Sequence, residues 1–418
     1  MTLDQPIFET KPFKPKATAM EAALLASPSA KAISTIAVFD VGAEDGKIPP
    51  REWLLGWTFC RKVLSALIGT GGFGKTSMRI LQALALTCGR ELTGEHIFFR
   101  SRVLIICLED DMDELRRRVR AAMLHHGVKP SDVAGWLFLT TPRGLKIAEL
   151  GEKKKVQHGG LYQALVAQID RFKIDLLVID PAVKAHGGLD ENSNSEIDAF
   201  AAILTGLAIE KNVAIDLLAH ERKGSGDAGD VNRGRGAGAL KDAARLVYTI
   251  TPMSEDDAKA LAVSADERRG LVRIDSAKVN TAPPSASAKW FRFVGVALQN
   301  GTADYPAGDN VGTLECWTPE PIFEGLTSAD LNRALARINA GMENGQRYST
   351  AGAATKRAAW HAVKAALPEL EEARCKAVVR AWDRNDVFII GKYSDPVSRA
   401  GAVGILSAAL IGVIDTSD

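Results

Sequence analysis

The residues best placed to do chemistry are Gly69, Thr70, Gly71, Gly72, Phe73, Gly74, Lys75 and Thr76, followed by Ser77. They fit G-x-x-x-x-G-K-[ST] at every fixed position. Leu64, Ala66, Leu67 and Ile68 before them read as a buried strand, and Lys75 to Cys88 read as a helix that stops at Gly89. That strand–loop–helix setting is what the pattern needs to bind a nucleoside triphosphate. Glycines let backbone N–H groups close around phosphate oxygens without Cβ interference, and the helix N-terminus adds donors and partial positive charge. Lys75 would meet the β- and γ-phosphates, and Thr76 would offer its hydroxyl to Mg2+. The plainer alternative, a Gly-rich turn before a lysine, leaves the flanking strand and helix unexplained.

Three further apolar runs end in groups that suit hydrolysis. "VLIICL" runs into Glu109, Asp110 and Asp111, and carboxylates at strand carboxyl ends sit where open parallel sheets bind ligands. Glu109 is placed to activate water as a general base, while Asp110 or Asp111 would cap the helix "MDELRRRVRAAM". "IDLLVID" ends at Asp180, an acid suited to holding Mg2+. "VAIDLLAH" ends at His220, which could sense the γ-phosphate and signal to the adjoining loop. That loop carries Arg222, Lys223, Arg233 and Arg235 among six glycines between Gly224 and Gly238. It reads either as a solvated linker or as a basic segment that grips polynucleotide phosphates.

These groups need a scaffold, and 418 residues allow two or three domains. Lys and Arg number 52 against 51 Asp and Glu, so overall charge favours no partner and any nucleic-acid surface must be local. The five cysteines show no metal-ligand spacing and read as buried hydrophobes of a reducing, cytoplasmic setting. No apolar run reaches membrane-spanning length, and the N-terminus has no secretory pattern. Residues 1–45 read as a mobile arm with one short helix near Met20 to Leu25, and residues 46–320 alternate strands and helices as an α/β domain. Residues 321–418 form a small, mostly helical module: helices in "SADLNRALARINAG", "AATKRAAWHAVKAAL" and "LEEARCKAVVRAWDRN", then the strand "VFIIGKY".

Together, "IPPREWLLGW", "GTGGFGKTS", "ICLEDDMDELRRRV", "LLVIDP", "AHERKG", "RGRGAGALKDAARLV" and "RIDSAKVN" occur in the order found in RecA-type ATPases. From about residue 47 to 320 the chain resembles the RepA-like hexameric helicases of plasmids and phages. The resemblance implies a RecA-like P-loop NTPase core with a mainly parallel twisted sheet, using ATP and Mg2+ in a hexameric ring on single-stranded DNA. It matches Glu109 to the catalytic glutamate, Asp180 to the Walker B acid and His220 to the γ-phosphate sensor. Arg245 falls where such helicases carry an arginine finger reaching a neighbouring subunit's nucleotide, with Arg235 as its rival and Lys278 as a second trans-acting cation. The loops after Asp180 and His220 correspond to channel loops that grip DNA, which adds Lys184 and His186 as contacts. The C-terminal module has no counterpart in the minimal helicase. It suggests a winged-helix-like domain that binds DNA through Lys356, Arg357, His361 and Lys364, recruits replication proteins, or caps the ring. Two other readings of the same pocket are a DNA-stimulated ATP switch, such as a recombination mediator or initiation adaptor, and a KaiC-like regulatory ATPase acting on proteins.

Overall fold

The computed structural model describes residues 40–43, 48–151, 154–220, 237–261, 263–279, 288–319, 321–351 and 355–410. The arm's expected helix and the basic loop with Arg222, Lys223, Arg233 and Arg235 lie outside the described residues. By contacts the chain divides into Met1–Pro50 and Arg51–Asp418, and the second unit holds the phosphate loop and the main sheet.

At the centre of that unit is a nine-stranded sheet. In chain order the strands are β1 (Leu64–Gly69), β2 (Val103–Cys107), β3 (Leu137–Thr140), β4 (Leu176–Asp180), β5 (Ala214–His220), β6 (Leu246–Pro252), β7 (Leu271–Val279), β8 (Lys289–Ala297) and β9 (Asn310–Trp317). They lie in the order β9-β8-β7-β6-β1-β5-β4-β2-β3. The six strands from β6 to β3 run parallel, while β7, β8 and β9 are added antiparallel. The parallel strands are short apolar runs because helices cover both faces. Helices α1 (Lys75–Cys88) and α2 (Met112–His125) cover one face, and α3 (Gly160–Phe172) and α4 (Asn194–Lys211) cover the other. This is the α/β architecture of a P-loop NTPase core.

Helix α1 is buried almost all round, as its sequence "MRILQALALT" requires. Ile80, Ala83 and Leu84 pack towards the sheet, whereas Met78 and Leu81 pack with Phe291 of β8 and Leu314 of β9. The antiparallel hairpin therefore folds back over α1. It reaches α2, where His126 Nε2 lies 2.8 Å from the Leu314 carbonyl and His125 Nε2 lies 2.7 Å from Glu315.

The C-terminal segment builds its own apolar cluster from α6 (Ser328–Ala340), α7 (Trp360–Ala366), α8 (Glu372–Arg384) and the hairpin β10 (Phe388–Ser394) and β11 (Gly401–Ala408); α5 is the short helix Ala237–Ala243. Strand β11 was not among the expected elements. The expected helix "AATKRAAWHAVKAAL" is interrupted, with a 3-10 turn at Thr355–Arg357 ahead of α7. Helix α8 meets the short helix Glu255–Leu261, where the Arg380 guanidinium donates to the Lys259 carbonyl. The segment belongs to the same unit as the sheet.

Candidate functional site

The parallel strands bring four expected groups to one end of the sheet. His220 is in register with Gly69, and Asp180 with Cys107, two residues before Glu109. Helix α1 starts at Lys75, behind the left-handed Gly74, and ends against the left-handed Gly89. Helix α2 starts behind Asp111, whose Oδ1 accepts from the Glu114 N–H at 2.8 Å, so Asp111 is the cap and Glu109 is left exposed at the strand tip.

Lys75 is buried, 6% exposed. Its Nζ donates to the carbonyls of Gly69 (2.7 Å) and Thr70 (3.0 Å) and lies 3.3 Å from His220 Nδ1. Burial, and then the Lys75 charge, hold the His220 pKa below the ordinary histidine value. The Thr76 hydroxyl donates to Asp180 Oδ2 at 2.6 Å. Burial pushes the Asp180 carboxyl up to about 6, against the Thr76 bond and Lys75, which pull it down. A half-buried hydroxyl bonded to a buried carboxylate beside a phosphate loop fits Mg2+, which takes one or two protein oxygens and completes its shell with phosphate and water. Among the described residues no group of three or more His, Cys, Asp or Glu could hold a metal by itself.

The glycines do different work. Gly72 and Gly74 have φ of 83° and 86°, which favour glycine; a Cβ on Gly74 would also lie 2.6 Å from Phe293 of the hairpin. Gly69 is needed for packing, because a Cβ there would lie 2.5 Å from the Ile250 carbonyl oxygen of β6. A Cβ on Gly71 would sit in ordinary contact with His220, at 3.8 Å. Phe73 is half-exposed on the loop, and Ser77 lines the cleft.

The cleft has a volume of about 690 Å³. Its walls include groups that the sequence did not single out: Arg117 and Arg118 of α2, Phe293 of β8, and Asp309 and Asn310 at the hairpin. Arg118 pairs with Asp110 at 3.1 Å and Glu114 at 2.8 Å, and Arg117 with Asp309 at 3.2 Å. The run "ELRRRV", one helical turn beyond the acidic strand tip, was the available signal.

Other expected residues lie elsewhere. Arg245 is exposed at the start of β6, and Lys278 is near the end of antiparallel β7, so both stand at the opposite end of the sheet from the phosphate loop. Lys278 is therefore not a ligand of its own chain's nucleotide site. Its Nζ donates to the Lys241 and Asp242 carbonyls at 3.0 and 2.8 Å, and its pKa is lowered by burial and by the neighbouring Arg245 and Lys241 charges. The segment after Asp180 is folded rather than an open loop: a short helix, Ala182–Ala185, leads into His186–Gly187, which pairs with Ala148–Leu150 in a three-stranded sheet. Lys184 is exposed there, but His186 is 7% exposed and packs edge-on against Phe200, 5.3 Å between ring centres, which removes it as a DNA contact. In the C-terminal segment Arg357 donates to the Arg347 carbonyl, Lys364 to the Pro368 and Leu370 carbonyls, and the His361 ring meets the Thr355 carbonyl. Three of the four side chains expected to meet DNA are thus engaged within the segment itself.

A strand, glycine loop and helix presenting lysine and threonine to acidic strand tips define a P-loop NTPase. A family model described as an AAA domain matches residues 29–226 of this chain. The chain therefore carries an ATPase of the P-loop kind. The match spans Lys75, Glu109, Asp180 and His220 and ends before Arg245 and Lys278. No helix among the described residues is long and apolar enough to cross a membrane.

Proposed function

We propose that this chain is an ATP-driven helicase or translocase of the RepA-like type, working as a homo-oligomeric, hexameric ring on single-stranded DNA in plasmid or phage replication. In this reading Lys75 and the loop N–H groups bind ATP phosphates, and Thr76 and Asp180 hold Mg2+. Bound there, the ion offsets charge on the β- and γ-phosphates. Glu109 takes the proton of the attacking water, and His220, beside Lys75, couples phosphate loss to residues 221–238. The observation that supports a ring is the position of Arg245 and Lys278. They stand near one another at the end of the sheet away from their own phosphate loop, so a nucleotide they act on would have to belong to a neighbouring copy.

The test mixes Arg245→Ala with Lys75→Ala subunits and follows ATP hydrolysis with and without single-stranded DNA, beside a forked-duplex unwinding assay. Each variant alone should be nearly inactive, and the mixture should regain part of the rate. Full activity of Arg245→Ala alone removes the trans arginine.

Arg117 and Arg118 favour a second reading. Arginines already in the cleft of the same chain suit a DNA-stimulated ATP switch that needs no neighbour. DNA-stimulated hydrolysis without unwinding selects that reading.

A further inference from the structure

Arg79, Gln82 and Asp216 occupy positions that the packing around them would give to apolar side chains. Arg79 and Gln82 lie on α1, each 2% exposed, and Asp216 is fully buried in β5. Arg79 grips Asp216 with two bonds, Nε to Oδ2 at 2.7 Å and Nη2 to Oδ1 at 2.8 Å. Ser65 of β1 donates to the same carboxylate at 2.7 Å. The third arm of the guanidinium, Nη1, donates to Gln82 at 2.7 Å, and Gln82 donates to Glu95 at 3.0 Å. Glu95 also accepts from Thr58 and Thr93 and lies 3.2 Å from Lys289 of the hairpin strand β8. The chain of bonds thus joins the phosphate-loop helix, the strand that enters the loop, the strand that carries His220, and the hairpin that seats Phe293 over Gly74.

Stability does not explain such a pair. Desolvating two charges offsets much of their attraction, and well-packed apolar residues of similar volume often serve a fold as well or better. A two-pronged guanidinium–carboxylate bond instead fixes geometry. Arg79 is one helical turn after Lys75, on the same side of α1. Asp216 is four residues before His220, on the same face of β5. A slip of α1 along β5 would therefore break the buried pair and separate Lys75 from His220 together.

We infer that Arg79 and Asp216 are positioning residues for nucleotide hydrolysis, a buried clamp that holds the α1 lysine and the β5 histidine at their working separation. Glu95 and Lys289 extend the clamp to the cleft wall. The inference rests on the cleft being the hydrolysis site, and the test separates the two ideas. Full-length Arg79→Met/Asp216→Leu, which removes both charges at once, is compared with the parent for melting temperature, ATP turnover, nucleotide KM, and hydrogen exchange of the 72–76 backbone amides. The clamp predicts a folded variant with turnover down at least tenfold, KM within about threefold, and faster exchange of those amides at an unchanged melting temperature. Parent-like turnover and exchange in the folded variant would overturn it. If the double variant does not fold, Arg79→Lys decides, assayed below its own melting point: one prong is lost while the charge stays, so turnover should fall by several-fold, and full turnover rejects the clamp. If the parent itself fails to hydrolyse ATP, the hydrolysis reading falls, and amide exchange alone then judges the clamp.

Discussion

At the residue scale, the decisive contrast is between Glu109, exposed at a strand tip, and Asp180, buried beside Thr76. An exposed carboxylate facing a phosphate loop can take a proton from water without a large desolvation cost. Glu109→Gln should therefore keep MgATP binding while turnover falls about a hundredfold or more; equilibrium binding and single-turnover hydrolysis check both. A variant that still hydrolyses within threefold of the parent displaces Glu109 from the role. Asp180 is in the reverse position. Its burial disfavours the charged form, so the carboxylate at neutral pH costs the protein stability by itself. Asp180→Asn should raise the melting temperature measured at pH 7.5 without MgATP, a gain of roughly 1–3 kcal/mol. It should at the same time abolish Mg2+-dependent hydrolysis. A lower melting temperature would show that the Thr76 bond outweighs the burial cost.

At the element scale, the phosphate loop is shaped by the strands packed around it. Gly69 lies against the backbone of β6, whereas Gly71 has room for a methyl group. Gly69→Ala must push β1 from β6 and should cost roughly 1–3 kcal/mol. Gly71→Ala should change stability by no more than about 0.5 kcal/mol. Urea unfolding of the two variants measures the difference, and equal losses would place the strain in the loop rather than between strands. The same scale explains the depth of α1. A helix held only against a sheet could show a polar outer face, but the β8–β9 hairpin covers that side. Polar side chains on α1 must then find partners inside, as Arg79 and Gln82 do.

At the scale of the whole molecule, two histidines packed into the fold, His186 buried and His126 half-buried, should weaken it on the acid side. Burial lowers the pKa of His126 and of His186. As pH falls through about 6.5, the unfolded chain takes up protons that the folded chain excludes, so stability drops on the acid side. Asp180, with its carboxyl pushed up to about 6, pulls the other way in this window, so the effect is read in Asp180→Asn: there the urea midpoint should fall between pH 7.5 and pH 5.5, and adding His186→Gln should reduce that fall. An undiminished fall in the variant would assign the acid loss to other groups. At this scale too, the two ends of the sheet carry different groups: phosphate loop, acids and His220 lie at one, Arg245 and Lys278 at the other, and the latter pair has a part in hydrolysis only in the proposed ring. A ring of copies is the assembly in which both ends would work on one nucleotide.

The sequence by itself determined what depends on near neighbours. The span of α1 from Lys75 to its stop at Gly89, the strands ending at Asp180 and His220, and a helix cap at Asp110 or Asp111 all follow from apolar spacing, glycine's access to positive φ, and side chains that bond backbone close by. Tertiary structure alone decided what depends on which distant segments meet. An aspartate inside the apolar run "AIDLLAH" and an arginine inside "SMRILQ" are legible in the sequence. Their pairing across 137 residues is not, because nothing in local spacing encodes the strand order that sets β5 beside β1 under α1. For the same reason the sequence left open the hairpin's fold over α1, the burial of His186 behind Phe200, and the use of Lys278 to bind the end of α5. Each is settled by packing, where burial of apolar area selects one arrangement of elements and every buried polar group must then find its partner there.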